Sequence, residues 1–150
     1  MREILFRAKA INRIKGREYR THYKNGDWVF GLVSKPYYDF NGYIQNAEMT
    51  NTDGVEGIEV DHETLGQYTG LTDKNGVRIF EGDVIQCERG VGTVMYQRGS
   101  GDNFMNGFII LWATEYYLRQ ELGFWATQRD ITIIGNIYDN PEQAEGDDNA

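Results

Sequence analysis

The chain has 150 residues, 40% of them hydrophobic, with ten Tyr, seven Phe and three Trp. That is enough apolar material for one ordinary domain or two small β units, and it excludes wholesale disorder. Net charge is −8, no apolar run approaches the roughly 18 residues of a membrane span, and Cys87 is the single cysteine, so an intramolecular disulfide is excluded.

Taken in order, the predicted elements are short strands separated by turns. The aromatic bias and 18 Gly against two Pro favour strands and turns that need positive φ. Glu3–Ile11 reads as a first strand. Asn25-Gly26 then marks a turn before a β run over Trp28–Val33. A further strand is expected over Tyr43–Met49, and the polar, glycine-bearing Asn51–Gly57 is a candidate mobile loop or internal boundary. Ile58–Val60 leads into a single helical turn that Asp61 would cap and Gly66 would end. Thr69–Thr72 and Val77–Phe80 flank "DKNG", a tight hairpin, and Glu81-Gly82-Asp83 makes a second corner before a strand over Val84–Cys87.

Gly90–Gly92 and Gly99–Gly101 read as turns around a strand at Thr93–Tyr96, with another strand at Phe108–Trp112. Residues 114–122 read equally as a helix capped by Thr114 and ended by Gly123, or as strand–loop–strand. Asp130–Pro141 is the closing strand. The fold class expected is mainly β: two small antiparallel units, the second an SH3-like small barrel, with one or two short helices at most. The domain limits are 1–60, 61–141 and a disordered acidic tail at 142–150.

In residue order the chain resembles the YopX family of phage and prophage proteins. The stretches that carry the resemblance are "MREILFRA" (Met1–Ala8), "DWVFG" (Asp27–Gly31), "ETLGQYTGLTDKNGVRIFEGDVI" (Glu63–Ile85) and "IGNIYDNPE" (Ile134–Glu142). The resemblance implies origin and fold, and no assigned biochemical role. Between Ala8 and Asp27 this chain is longer and more basic than that pattern.

The motifs point away from catalysis. Cys87, His22 and His62 lack metal-ligand spacing, and the serines Ser34 and Ser100 lie in no nucleophile elbow. Gly-Lys-Ser/Thr is absent, so no phosphate cradle is expected. In "DHE", Asp61–Glu63, a histidine sits between two carboxylates, and turn capping is its simpler role. We expect no enzyme, no cofactor and no metal. Charge is the positive signal: residues 1–24 carry eight basic and two acidic side chains, a balance of +6, and the remainder balances at −14. Arg13, Lys15, Arg17, Arg20 and Lys24 interleave with Tyr19 and Tyr23. That pattern suits phosphate contact with base stacking, or docking on an acidic face of another subunit. The partner expected is a second copy of the chain, with nucleic acid or a host or phage protein as alternatives, in the cytoplasm and away from membranes. The opening MREILFRAKA has no apolar signal region.

Overall fold

A computed structural model describes residues 3–11, 23–97, 107–114 and 118–145, apart from the side chains of 44 and 45. Nine strands, one α-helix and one 3-10 helix are present among them. The chain divides into two compact units, Met1–Gln67 and Tyr68–Ala150. The division falls inside a strand, where the sequence reading set it after residue 60.

The first unit holds β1 (Phe6–Ala10), β2 (Trp28–Tyr38), β3 (Ile44–Asn51) and most of β4 (Ile58–Thr72). Antiparallel pairings run β1–β2, β2–β3, β3–β4 and back from β4 to β1, so the four strands close a ring. Closure satisfies strand edges inside the unit. Small residues permit it: Ala8, Ala10 and Ala47 line the core beside Val29, Met49, Ile58 and Val60. Gly31 is required by close approach, because a Cβ there would lie 1.9 Å from the Thr50 carbonyl oxygen.

β4 corrects one expectation. The helical turn after Val60 is a bulge in a continuous strand, opposite Arg7–Lys9 of β1. The Asp61 carboxylate does accept a nearby N–H, that of Glu63 at 3.0 Å, but it supports the bulge. Thr64 secures the bulge by donating to the Asp61 carbonyl and accepting from the Lys9 N–H.

The second unit contains the end of β4, β5 (Arg78–Phe80), β6 (Asp83–Cys87), β7 (Gly90–Gln97), β8 (Gly107–Trp112), α1 (Leu122–Gln128) and β9 (Thr132–Asn136). Its main sheet runs β8-β7-β6-β9. The pairings seen among the described residues of this unit leave that sheet open, so they do not complete the SH3-like barrel expected of 61–141. Ile79, Ile85, Cys87, Val94, Ile110, Trp112, Leu118, Leu122 and Ile131 form its core, and Cys87 is a buried free thiol within it.

Four further expectations are revised here. Gly90–Gly92 belongs to β7, and Gly92 serves packing: a Cβ would sit 2.4 Å from Ile110 Cγ2. The helix starts where the sequence would have ended it. Ile110 N–H donates to the Gln120 carbonyl and Glu121 bridges to Ile109, so the chain stays tied to β8 until Leu122 turns into the core. Arg129, at φ 58°, ends α1. β9 stops at Asn136, whose Oδ1 accepts the Tyr138 and Asp139 N–H groups and turns the chain. Residues 141–145, assigned in part to the tail, form a 3-10 helix, and 146–150 lie outside the described residues.

Three turns share one device. Asp39, Asn51 and Asp73 each accept through Oδ1 from the N–H groups two and four residues on. Each also bonds its own N–H to the carbonyl four residues on. The glycine at the fourth position, Gly42, Gly54 or Gly76, takes a φ of 82°, 85° or 79°. The stretch 51–57 is therefore a built turn, and "DKNG" is the tight hairpin expected.

Candidate partner-binding surface

The basic segment proposed from the sequence is mostly outside the described residues: Arg13, Lys15, Arg17, Tyr19 and Arg20 all fall within 12–22. Two of its members can be placed. Tyr23 packs against the first unit's core, and its hydroxyl accepts from Asn51 Nδ2 at 3.1 Å. Its ring serves packing there. Lys24 is exposed, and its backbone N–H donates to Asp27 Oδ2. Two other cations of the basic N-terminal stretch are held by an aromatic ring, with Arg7 Cζ 4.7 Å and Lys9 Nζ 5.4 Å from the Trp28 centroid. These are cation–π distances.

A different surface stands out, and it lies on β2 and the β2–β3 turn. Phe30 (39% exposed), Leu32 (51%), Tyr37 (37%), Tyr38 (61%), Phe40 (110%) and Tyr43 (71%) are all open to solvent. Taking about 200 Å² for each such side chain, they present on the order of 700 Å² of apolar surface. Apolar patches of this size on a monomer are commonly functional.

Phe30 and Leu32 are exposed because they alternate with the buried Val29 and Gly31 and face outward, and the backbone explains the rest. β1 pairs with β2 only over Trp28–Gly31, and β4 pairs with β3 only over Ala47–Met49. Beyond those limits the hairpin continues to the Tyr38↔Ile44 pair as two strands, among the described residues. Every residue from Ser34 to Tyr38 is exposed. At the end, Asp39 accepts from Asn41 and Tyr43 and holds the turn in one shape, so Phe40 is presented rather than folded back.

The outward face near the middle of the hairpin is polar. Lys35 and Glu48 are cross-strand partners. Tyr37 donates its hydroxyl to Glu48 Oε1 at 2.5 Å, and Lys35 Nζ lies 5.1 Å from the Tyr37 ring centroid. The bond to Glu48 pushes the Tyr37 phenol above its ordinary pKa, aided by slight burial and by the charges of Glu48 and Glu59. Glu59, in register with Glu48 on β4, accepts from Asn46 Nδ2 at 2.7 Å.

His62 sits in the β4 bulge with its Nδ1 buried. Among the described residues no group of three His, Cys, Asp or Glu side chains is placed to hold a metal ion. No described helix is long and apolar enough to cross a membrane. Trp112 and Trp125 both donate their indole N–H to the Arg119 carbonyl, at 2.9 and 2.7 Å, and so fix the segment before α1. Glu121 beside it is held below the usual carboxylate range by its own backbone N–H and then by Arg119.

A family model for the YopX protein matches residues 19–145. The chain belongs to the YopX family. The match takes in three of the four stretches that carried the resemblance, begins after Met1–Ala8, and includes the whole β2–β3 hairpin. A solved structure, that of protein EF1440 from Enterococcus faecalis, is similar at 22% identity and a TM-score of 0.48, over 95% of this chain and 99% of that one. No curated protein matches the chain.

The aromatic hairpin was missed in the sequence because Tyr and Phe were counted as core formers. A signal was available. "PYYDFNGY" places four aromatics around an Asp-Phe-Asn-Gly turn, where a side chain at the turn's second position cannot reach a core.

Proposed function

We propose that this YopX-family chain is a non-catalytic assembly module of a phage or prophage that self-associates in the host cytoplasm. The observation that supports this reading is the exposed aromatic surface of the β2–β3 hairpin. Its roughly 700 Å² approaches the ~800 Å² per partner of a standard interface. Aromatic anchors are also the residue types enriched at interface centres. Light scattering coupled to size-exclusion chromatography tests it, at tens of micromolar protein across a salt series. A mass of at least twice 17.3 kDa is expected, and a monomer at every concentration and salt would overturn the reading.

The charge asymmetry favours a second reading, in which Arg13–Lys24 binds nucleic acid. Fluorescence anisotropy with short DNA and RNA would then give an affinity that falls with salt, by roughly 0.7 to 0.9 log units per contact per log unit of salt. No binding at low salt would retire it.

A further inference from the structure

Resting on the self-association reading, we infer that two copies pack the outward faces of their β2–β3 hairpins together about a two-fold axis running along the hairpin. Lys35 of each copy then lies over Glu48 of the partner subunit.

Four observations carry this. A two-stranded ribbon alone is marginal in water and needs a third layer or strand, and the tip of this one, Tyr37–Tyr38 against Ile44–Asn46, has no third strand beside it among the described residues. Strand addition at its edge is disfavoured by three features of β2. Lys35 is a charge there, Pro36 lacks an N–H, and the register shifts between Val33 and Lys35. These are the devices by which natural edges refuse a further strand. The β2 edge is therefore closed to a further strand, and its face is left to be covered.

The face is also self-complementary. Along it run Phe30 and Leu32, then the Lys35–Glu48 pair with Tyr37 beside it, then the turn that presents Phe40. An axis along the hairpin exchanges β2 for β3 at each level. Apolar ends then meet apolar ends, and the cation on β2 meets the anion on β3, twice per dimer. Of the apolar area estimated above, Phe30, Leu32, Tyr37 and Phe40 supply about 500 Å² on this face, toward the ~800 Å² that one side of a standard interface buries.

The test uses the full chain with Lys35→Glu and Glu48→Lys, both at exposed or half-exposed positions. Each variant alone places like charges over each other twice. The dimer dissociation constant is expected to rise about tenfold or more. An equimolar mixture restores opposite charges at both contacts, and a heterodimer of wild-type affinity is expected. Phe40→Ser, whose side chain touches no core, is expected to weaken the dimer with an unchanged circular dichroism spectrum. If the wild type dimerises while all three variants dimerise equally well, the hairpin is not the interface, although self-association stands. If the mixture fails to recover, the pairing of Lys35 with Glu48 is wrong. A monomeric wild type removes both this inference and the reading beneath it.

Discussion

Replacing Asp73 with alanine removes one buried carboxylate that serves two distant pieces of the second unit. Oδ1 accepts from Asn75 and Val77 at 2.9 and 3.0 Å within the hairpin, and Oδ2 accepts from Ile133 of β9 at 3.1 Å. Asp73 itself is 5% exposed. Hydrogen bonds to a charged acceptor contribute about 1.5–3 kcal/mol each, net. Asn75 and Val77 are exposed, so water takes over much of their loss, and about 0.5–1 kcal/mol each is appropriate. The half-buried Ile133 N–H has no such replacement. The sum is about 2.5–5 kcal/mol for Asp73→Ala, or about 10 °C in Tm at 2–4 °C per kcal/mol for a chain of this size.

Asp73→Asn separates the two roles. An asparagine oxygen can keep the turn, but its NH₂ then faces the Ile133 N–H, donor against donor; flipped, it spoils the turn instead. About 1.5–2.5 kcal/mol is expected. Urea unfolding followed by tryptophan fluorescence reads the effect, because Trp112 and Trp125 report on the second unit. Asp73→Ala within about 0.5 kcal/mol of wild type, the scale of ordinary surface substitutions, would refute the reasoning. So would Asp73→Asn as damaging as Asp73→Ala.

Further outcomes follow from single contacts. Gly31→Ala drives a Cβ to 1.9 Å from the Thr50 carbonyl and 2.8 Å from Asn51 Cα; overpacking of backbone on backbone should cost about 3 kcal/mol or more, seen as lost thermal stability or insoluble expression. Gly82→Val and Gly76→Val both force a residue into positive φ, at 92° and 79°, for about 1–3 kcal/mol of strain. Only Gly82 also meets Tyr138, 3.1 Å away, so its thermal midpoint should fall further than that of Gly76→Val. Absorbance titration near 295 nm should show Tyr37 ionising above its ordinary 10.0, and Glu48→Gln should bring it down. Because the folded pKa is raised, the Tyr37–Glu48 bond stabilises fully below pH 10.0 and is lost as pH rises through the folded value; an unshifted Tyr37 titration would remove the bond.

The β class and the "DKNG" and Gly82 corners were legible because they rest on rules that operate within a few residues. A short side chain bonding its own backbone and a glycine at positive φ need no distant partner. The same rule was present at Asn51–Gly54, where polarity alone was read and a built turn was taken for a loose loop. The candidate surface was the reverse case. A strand's alternation tells which residues share a face, but it does not tell whether that face is covered. Phe30 and Leu32 therefore read only as part of a β run, while Tyr23, read as a binding residue, packs against the core.

From the residues alone came a mainly β chain, its turn positions, its uneven charge and its likeness to the YopX family. Tertiary structure decided the rest. Pairing of β4 to β1 kept 58–72 extended where a helical turn was expected, because ladder hydrogen bonds on both sides of the bulge outweighed a local cap. Tethering of Gln120 and Glu121 to β8 moved the helix to Leu122. The ends of β1's pairing at Gly31 and of β4's at Ala47 left the hairpin tip as two strands among the described residues, with Tyr38, Phe40 and Tyr43 exposed. Each depends on which strand lies beside which, and that is set by contacts between residues far apart in the chain.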